Sequence, residues 1–137
     1  MPLITREANG SKLSISQMDG NLLYLEELSL YPLNNIDSRV SGGACTVLDS
    51  DFYTTLVYTG SSNINLQLTT ALTLVEGSRI TVLQKGSGQV TVVGSGVIVS
   101  TTSDVVATTY GPNAMCDVVI YSASSPEAVV TGKLKFA

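Results

Sequence analysis

From Cys45 to the C-terminus the chain consists of short apolar runs: CTVLD, TTLVYT, NINLQLT, ALTLV, SRITVLQ, QVTVV, VIVST, DVVATTY, MCDVVIYS and AVVTGKLKF. In NINLQLT, Ile64, Leu66 and Leu68 alternate with Asn63, Asn65 and Gln67. That is the two-residue period of a strand with one face in a core and the other in solvent. Valine, isoleucine, threonine and tyrosine fill the runs while Gly, Ser and Asn separate them, the signature of strands and turns. Eight to ten strands within 93 residues, with no helical period between them, predict a β-sandwich, a jelly roll or a small barrel. The connections are too short for parallel crossovers, so the sheets are expected to be mostly antiparallel.

Before residue 40 the texture differs. In LSISQMDGNLLYLEEL, Ser14 followed three residues later by Gln17 forms a capping box, and a helix is expected from about Ile15 to Leu28. Ile15, Met18, Leu22, Leu25 and Leu28 then fall on one stripe, with Asp19, Glu26 and Glu27 pointing elsewhere. A helix this short is marginal alone in water, and Gly20 costs it about 1 kcal/mol, so the stripe has to be buried. It can pack on its own domain, on copies of itself or on a larger particle. The following YPLNNIDSRVSGGA reads as an extended arm. The expected organisation is therefore an arm, helix and linker over 1–43 and an antiparallel β-sandwich or jelly-roll-like domain over 44–137.

Composition narrows the chemistry. Charged residues make up only 13% of the chain, about half the usual share, which suggests a surface partly covered by other protein. The net charge is -4 and the seven basic residues are scattered, so no basic stripe is available for nucleic acid. No segment has the length of a membrane span or of a signal peptide, which points to assembly in a cytosol. Cys45 and Cys116 sit among apolar residues and are expected as buried, reduced thiols. Histidine is absent, which removes the commonest general base, metal ligand and activator of a nucleophile.

Each remaining motif has a structural explanation that outweighs the chemical one. In ITVLQKGSGQVTVVGSG the lysine precedes the glycines and a strand pattern follows them, unlike a phosphate loop, which opens a helix. KGSG is therefore expected as a hairpin turn with glycines at positive φ, Lys85 exposed at its tip, Ile80 and Val82 facing a core, and no ligand. Asp49 and Asp51 could in principle bind a calcium ion, but it wants six or more oxygens from several positions, and nothing in the spacing brings Asp104 and Asp117 to them. No cofactor is implied. Tyr31, Tyr53, Tyr58, Tyr110 and Tyr121 are spread over strands and loops, which favours core or interface packing over a carbohydrate platform.

Two regions carry a resemblance. ITREANGSKLSISQMDGNLLYLEEL, through Met18, Asp19 and Asn21, resembles a segment near the start of tailed-bacteriophage fibre and other virion proteins, with Leu22 where phenylalanine is common. Gly77, Ile80, Val82, Gln84, Gly86, Gly88, Val90 and Thr91 are similar to a strand pair of fibre β-domains, whose tryptophan is replaced here near Val129 and Val130. The resemblance implies a non-enzymatic virion structural protein, a homotrimer docked on capsid or tail proteins through Ile15, Met18, Leu22, Leu25 and Leu28. No long shaft or large receptor tip follows, which favours a small head fibre, capsid decoration or fibre-attachment protein, resident in the virion after assembly in the host cytoplasm. The rival reading is a host-adhesion module that binds surface glycan through TTYGPNA, with Tyr110 and Asn113 as candidate contacts. A lyase or hydrolase using Asp and Tyr is the remote third.

Overall fold

The computed structural model describes residues 31–137, and the helix expected over Ile15 to Leu28 lies outside them. Eleven strands form two sheets: β1 (Leu33–Asn35), β2 (Ala44–Thr46), β3 (Thr55–Tyr58), β4 (Ile64–Thr69), β5 (Arg79–Gln84), β6 (Val90–Ser95), β7 (Ile98–Ser100), β8 (Val105–Thr109), β9 (Met115–Ser122), β10 (Glu127–Gly132) and β11 (Leu134–Phe136). One sheet has the order β1-β3-β5-β9-β10-β7 and the other β11-β8-β6-β4-β2. The mainly β, two-sheet expectation therefore holds.

The expected antiparallel sandwich does not. Strands β1 to β9 alternate between the sheets, so β1, β3 and β5 stack in parallel in one while β2, β4 and β6 stack in parallel in the other. The chain winds as three coils of a short β-solenoid; β8 to β11 then continue both sheets with antiparallel pairings, except that β10 pairs in parallel with the edge strand β7. Parallel pairing does require a long crossover. Here the crossover from β3 to β5 contains β4, a strand of the opposite sheet, so short connections between consecutive strands are no obstacle.

Coils two and three stack residue for residue. Tyr58 pairs with Gln84 and Ile64 with Val90, each an offset of 26 (84 - 58; 90 - 64). TLVYTGSSNINLQLT over 55–69 therefore lies on TVLQKGSGQVTVVGS over 81–95, with Gly60-Ser61 beneath Gly86-Ser87. The stretch YPLNNIDSRVSGGA, which reads as an arm, carries β1 and the 3-10 turn Asp37–Arg39 of the first coil. ALTLV is not a strand. It belongs to the connection between β4 and β5, where Leu72 is buried and Leu74 packs against the core.

Inward positions form apolar ladders along the axis, such as Leu56-Val82-Cys116 and Cys45-Leu66-Val92. Ile64, Leu66 and Leu68 are buried as their alternation predicts, and so are Ile80 and Val82. Full burial of side chains of this size stabilises by about 1.5–3 kcal/mol each before entropy is counted. The outward faces differ. Ala44-Asn65-Thr91-Thr108 and Thr46-Gln67-Val93 make the five-stranded sheet largely polar. On the six-stranded sheet Val57-Leu83-Met115 and the neighbours Val119 and Val129 present apolar rows.

Candidate functional site

The arches that carry the chain from β3 to β4 and from β5 to β6 lie one on the other. Lys85 and Gly86 donate backbone N–H bonds to Tyr58 O at 2.8 and 3.3 Å, and Gly88 donates to Gly60 O at 3.0 Å. A Cβ on Gly86 would stand 2.3 Å from Thr59 O, and one on Gly88 2.3 Å from Ser62 O. KGSG is thus an arch between sheets rather than a hairpin, and neither glycine has positive φ; of the glycines in ITVLQKGSGQVTVVGSG only Gly96 does, at 76°. Close backbone approach, not a left-handed turn, is what demands glycine at 86 and 88.

Beside these arches the TTYGPNA loop is fastened from below. Fully buried Gln84 accepts from Thr109 Oγ1 at 2.5 Å and donates through Nε2 to Gly86 O at 2.9 Å, while Thr109 Oγ1 accepts the Val90 N–H at 2.9 Å. This chain of bonds ties the two sheets together inside the core. Gln89 Nε2 donates to Thr109 O and Tyr110 O at 3.1 and 3.2 Å. Asn113, at φ 68°, donates its N–H to Gln84 O at 2.6 Å and accepts from Lys85 Nζ at 2.6 Å. Lys85 is exposed at the arch as expected, with its ammonium resting on Asn113.

Tyr110 and Asn113, the two candidate adhesion residues, are thus brought to one exposed loop, and the fold adds partners that no sequence pattern marks. Lys133 Nζ lies 4.5 Å from the Tyr110 ring centroid, and Phe136 meets the same ring edge-on at 6.2 Å and 85°. Tyr110 is 50% and Phe136 65% exposed. Core packing holds for Tyr58 alone among the five tyrosines; Tyr31, Tyr53 and Tyr121 are exposed with Tyr110. Ile15, Met18, Leu22, Leu25 and Leu28 lie outside the described residues.

The aspartates among the described residues are committed elsewhere. Asp51 is fully buried in a two-pronged ion pair with Arg39 (2.9 and 2.7 Å) and also accepts from the Leu48 N–H at 2.8 Å. The same bonds hold the Arg39 guanidinium more basic than usual. Asp49 accepts from Thr73 N and Oγ1, Asp117 from Thr81, Asp104 from Thr102, and Asp37 from Thr59 N and Oγ1. The Thr59 donors draw the Asp37 carboxyl below its ordinary value. An open groove of about 190 Å³ beside Leu48 and Leu72 brings in no titratable side chain except Asp49, already bonded to Thr73. Among the described residues no His, Cys, Asp or Glu cluster could hold a metal, and no helix is long and apolar enough to cross a membrane.

Both cysteines are free and buried, and burial pushes the Cys116 thiol up to about 12. The unfolded chain loses this proton near the ordinary thiol value of 9.0, so folded stability falls as pH rises from about 9 towards 12. At pH 10 the wild type is expected to lose about 1 kcal/mol more, relative to pH 8, than a Cys116→Val variant. Denaturant titrations of both proteins at the two pH values check this, and parallel losses would refute it.

Comparison of the chain with protein-family models, with curated proteins and with solved structures finds no match in any of the three. Function has to be argued from the coil itself.

Proposed function

We propose that the protein is a non-enzymatic structural component of a tailed-bacteriophage particle: a small head fibre, capsid decoration or fibre-attachment protein. Its N-terminal segment, with Met18 and Leu22 on the docking stripe, attaches to capsid or tail, and the β-domain projects as part of a homotrimer. The observation that carries this reading is the apolar rows on the outer face of the six-stranded sheet, which lie on either side of a polar Thr81-Asp117-Thr131 row. Val57, Leu83 and Met115 line up in register there, Met115 is 47% exposed, and Tyr121 and Ile98 stand at 68% and 61%. A face of this kind gains from contact with further copies, at roughly 25 cal/mol per Å² before association costs. The non-enzymatic part rests on the aspartates among the described residues, each bonded to a Thr or Arg of its own fold, and on the two inert thiols.

Two measurements test the proposal. Leu83→Lys with Met115→Lys is expected to convert the oligomer to monomer in native mass spectrometry. Met18→Asp with Leu22→Asp is expected to reduce particle occupancy by about tenfold or more, read by quantitative gel of purified particles, because an apolar stripe loses its burial energy when charged. Unchanged mass and unchanged occupancy together would overturn the reading.

A further inference from the structure

We propose that Tyr110, Phe136, Lys133 and the Lys85–Asn113 pair form a binding site for a saccharide that carries a carboxylate. The two rings are the first support. Tyr110 and Phe136 come from segments far apart in the chain and meet at right angles while staying half to two-thirds exposed. A buried pair would be explained by the core; an exposed pair offers flat apolar faces on which the C–H face of a sugar ring can rest.

The ammonium groups select the charge. Lys133 stands over the Tyr110 ring and Lys85 on Asn113. The one ion pair among the described residues is Arg39–Asp51, so neither lysine has a carboxylate partner there. Two such cations beside one loop, in a chain of net charge -4, make a local positive site that an anionic group would complete.

Rigidity is the third support. Asn113 is one of two non-glycine residues with positive φ among those described, and it is held by the Gln84 carbonyl and the Lys85 ammonium. Strain of this sort persists where surrounding bonds over-determine it, and it collects at binding loops. The loop is therefore set before a ligand arrives, which lowers the ordering cost of binding. Asn113, an exposed residue, accepts from Lys85 through Oδ1, and its amide nitrogen is of a kind that donates to sugar hydroxyls.

The proposal stands apart from particle assembly and is tested on the purified full chain. Sialyllactose and trigalacturonate are titrated by calorimetry, with lactose as the neutral control and tripolyphosphate as an anion without a sugar. At least one carboxylated saccharide is expected to bind with Kd in the range of about 0.1–5 mM, and lactose about tenfold or more weaker. Affinity is expected to fall about tenfold in Tyr110→Ala and in Phe136→Leu, and to lose its preference for acid over lactose in Lys133→Gln. Val75→Ala, in the connection between β4 and β5, keeps wild-type binding. Binding that weakens between 20 and 300 mM salt fits the same account. The proposal is overturned if neither acidic saccharide binds saturably by 20 mM, if both aromatic variants bind as the wild type does, or if tripolyphosphate binds as tightly and ignores Tyr110→Ala.

Discussion

Gly86→Ala is expected to lower the stability of the β-domain by about 2–4 kcal/mol, whereas Gly111→Ala changes it by less than about 0.5 kcal/mol. The new methyl at 86 would meet Thr59 O at 2.3 Å and Gly60 O at 2.4 Å. Both are backbone atoms of the arch below, and that arch is fixed by its own bonds to Lys85, Gly86 and Gly88. Relief therefore means separating two coils. At Gly111 nothing lies within 4 Å and φ is not positive, so a methyl finds space. Thermal melts of the two variants against wild type check this, with a drop of roughly 10 °C or more for Gly86→Ala. Equal melting temperatures would mean that the arches are not stacked as described.

Arg39→Ala ranks next, with an expected loss of about 2–3 kcal/mol. Arg39 lies between β1 and β2, Asp51 between β2 and β3, so the ion pair ties two successive connections across the first coil. Arg39 also donates to Thr46 O at 2.9 Å, and Asn34 Nδ2 approaches Asp51 Oδ1 at 3.3 Å. Removing the guanidinium leaves a fully buried carboxylate with only the Leu48 N–H and the Asn34 amide. The figure sits below that for a wholly buried pair because 24% of the Arg39 side chain reaches solvent, where water can replace part of the interaction. In Arg39→Met with Asp51→Leu, which removes both charges, much of the loss is expected to be recovered. A denaturant cycle over the four proteins measures the coupling, and a double variant no better than Arg39→Ala alone would contradict this assignment.

These two sites also show which parts of the molecule were legible from residues. NINLQLT and SRITVLQ disclose strands because a pleated chain with one buried face must alternate, and Ile64, Leu66, Leu68, Ile80 and Val82 are buried accordingly. The glycines of KGSG disclose a reversal of the chain, but not which kind. A hairpin and an arch have the same local composition and differ only in the sheet that receives the next strand. The 26-residue correspondence of 55–69 with 81–95 was readable, since Gly-Ser recurs at 60–61 and 86–87, and it is the signal that would have favoured a coil. Tyr110 and Asn113 stand out as a loop in the sequence. Lys133 and Phe136 do not, because they reach Tyr110 only through the pairing of β11 with β8.

The sequence by itself determined that this is a β protein with an apolar interior, two inert thiols and no histidine chemistry, since alternation, composition and absence are local properties. Tertiary structure alone decided that the strands pair in parallel across coils, that Gly86 and Gly88 serve close stacking, and that two lysines and two rings surround one loop. The physical reason is that hydrogen-bonded neighbours in a solenoid lie a full coil apart. No local propensity acts over that distance.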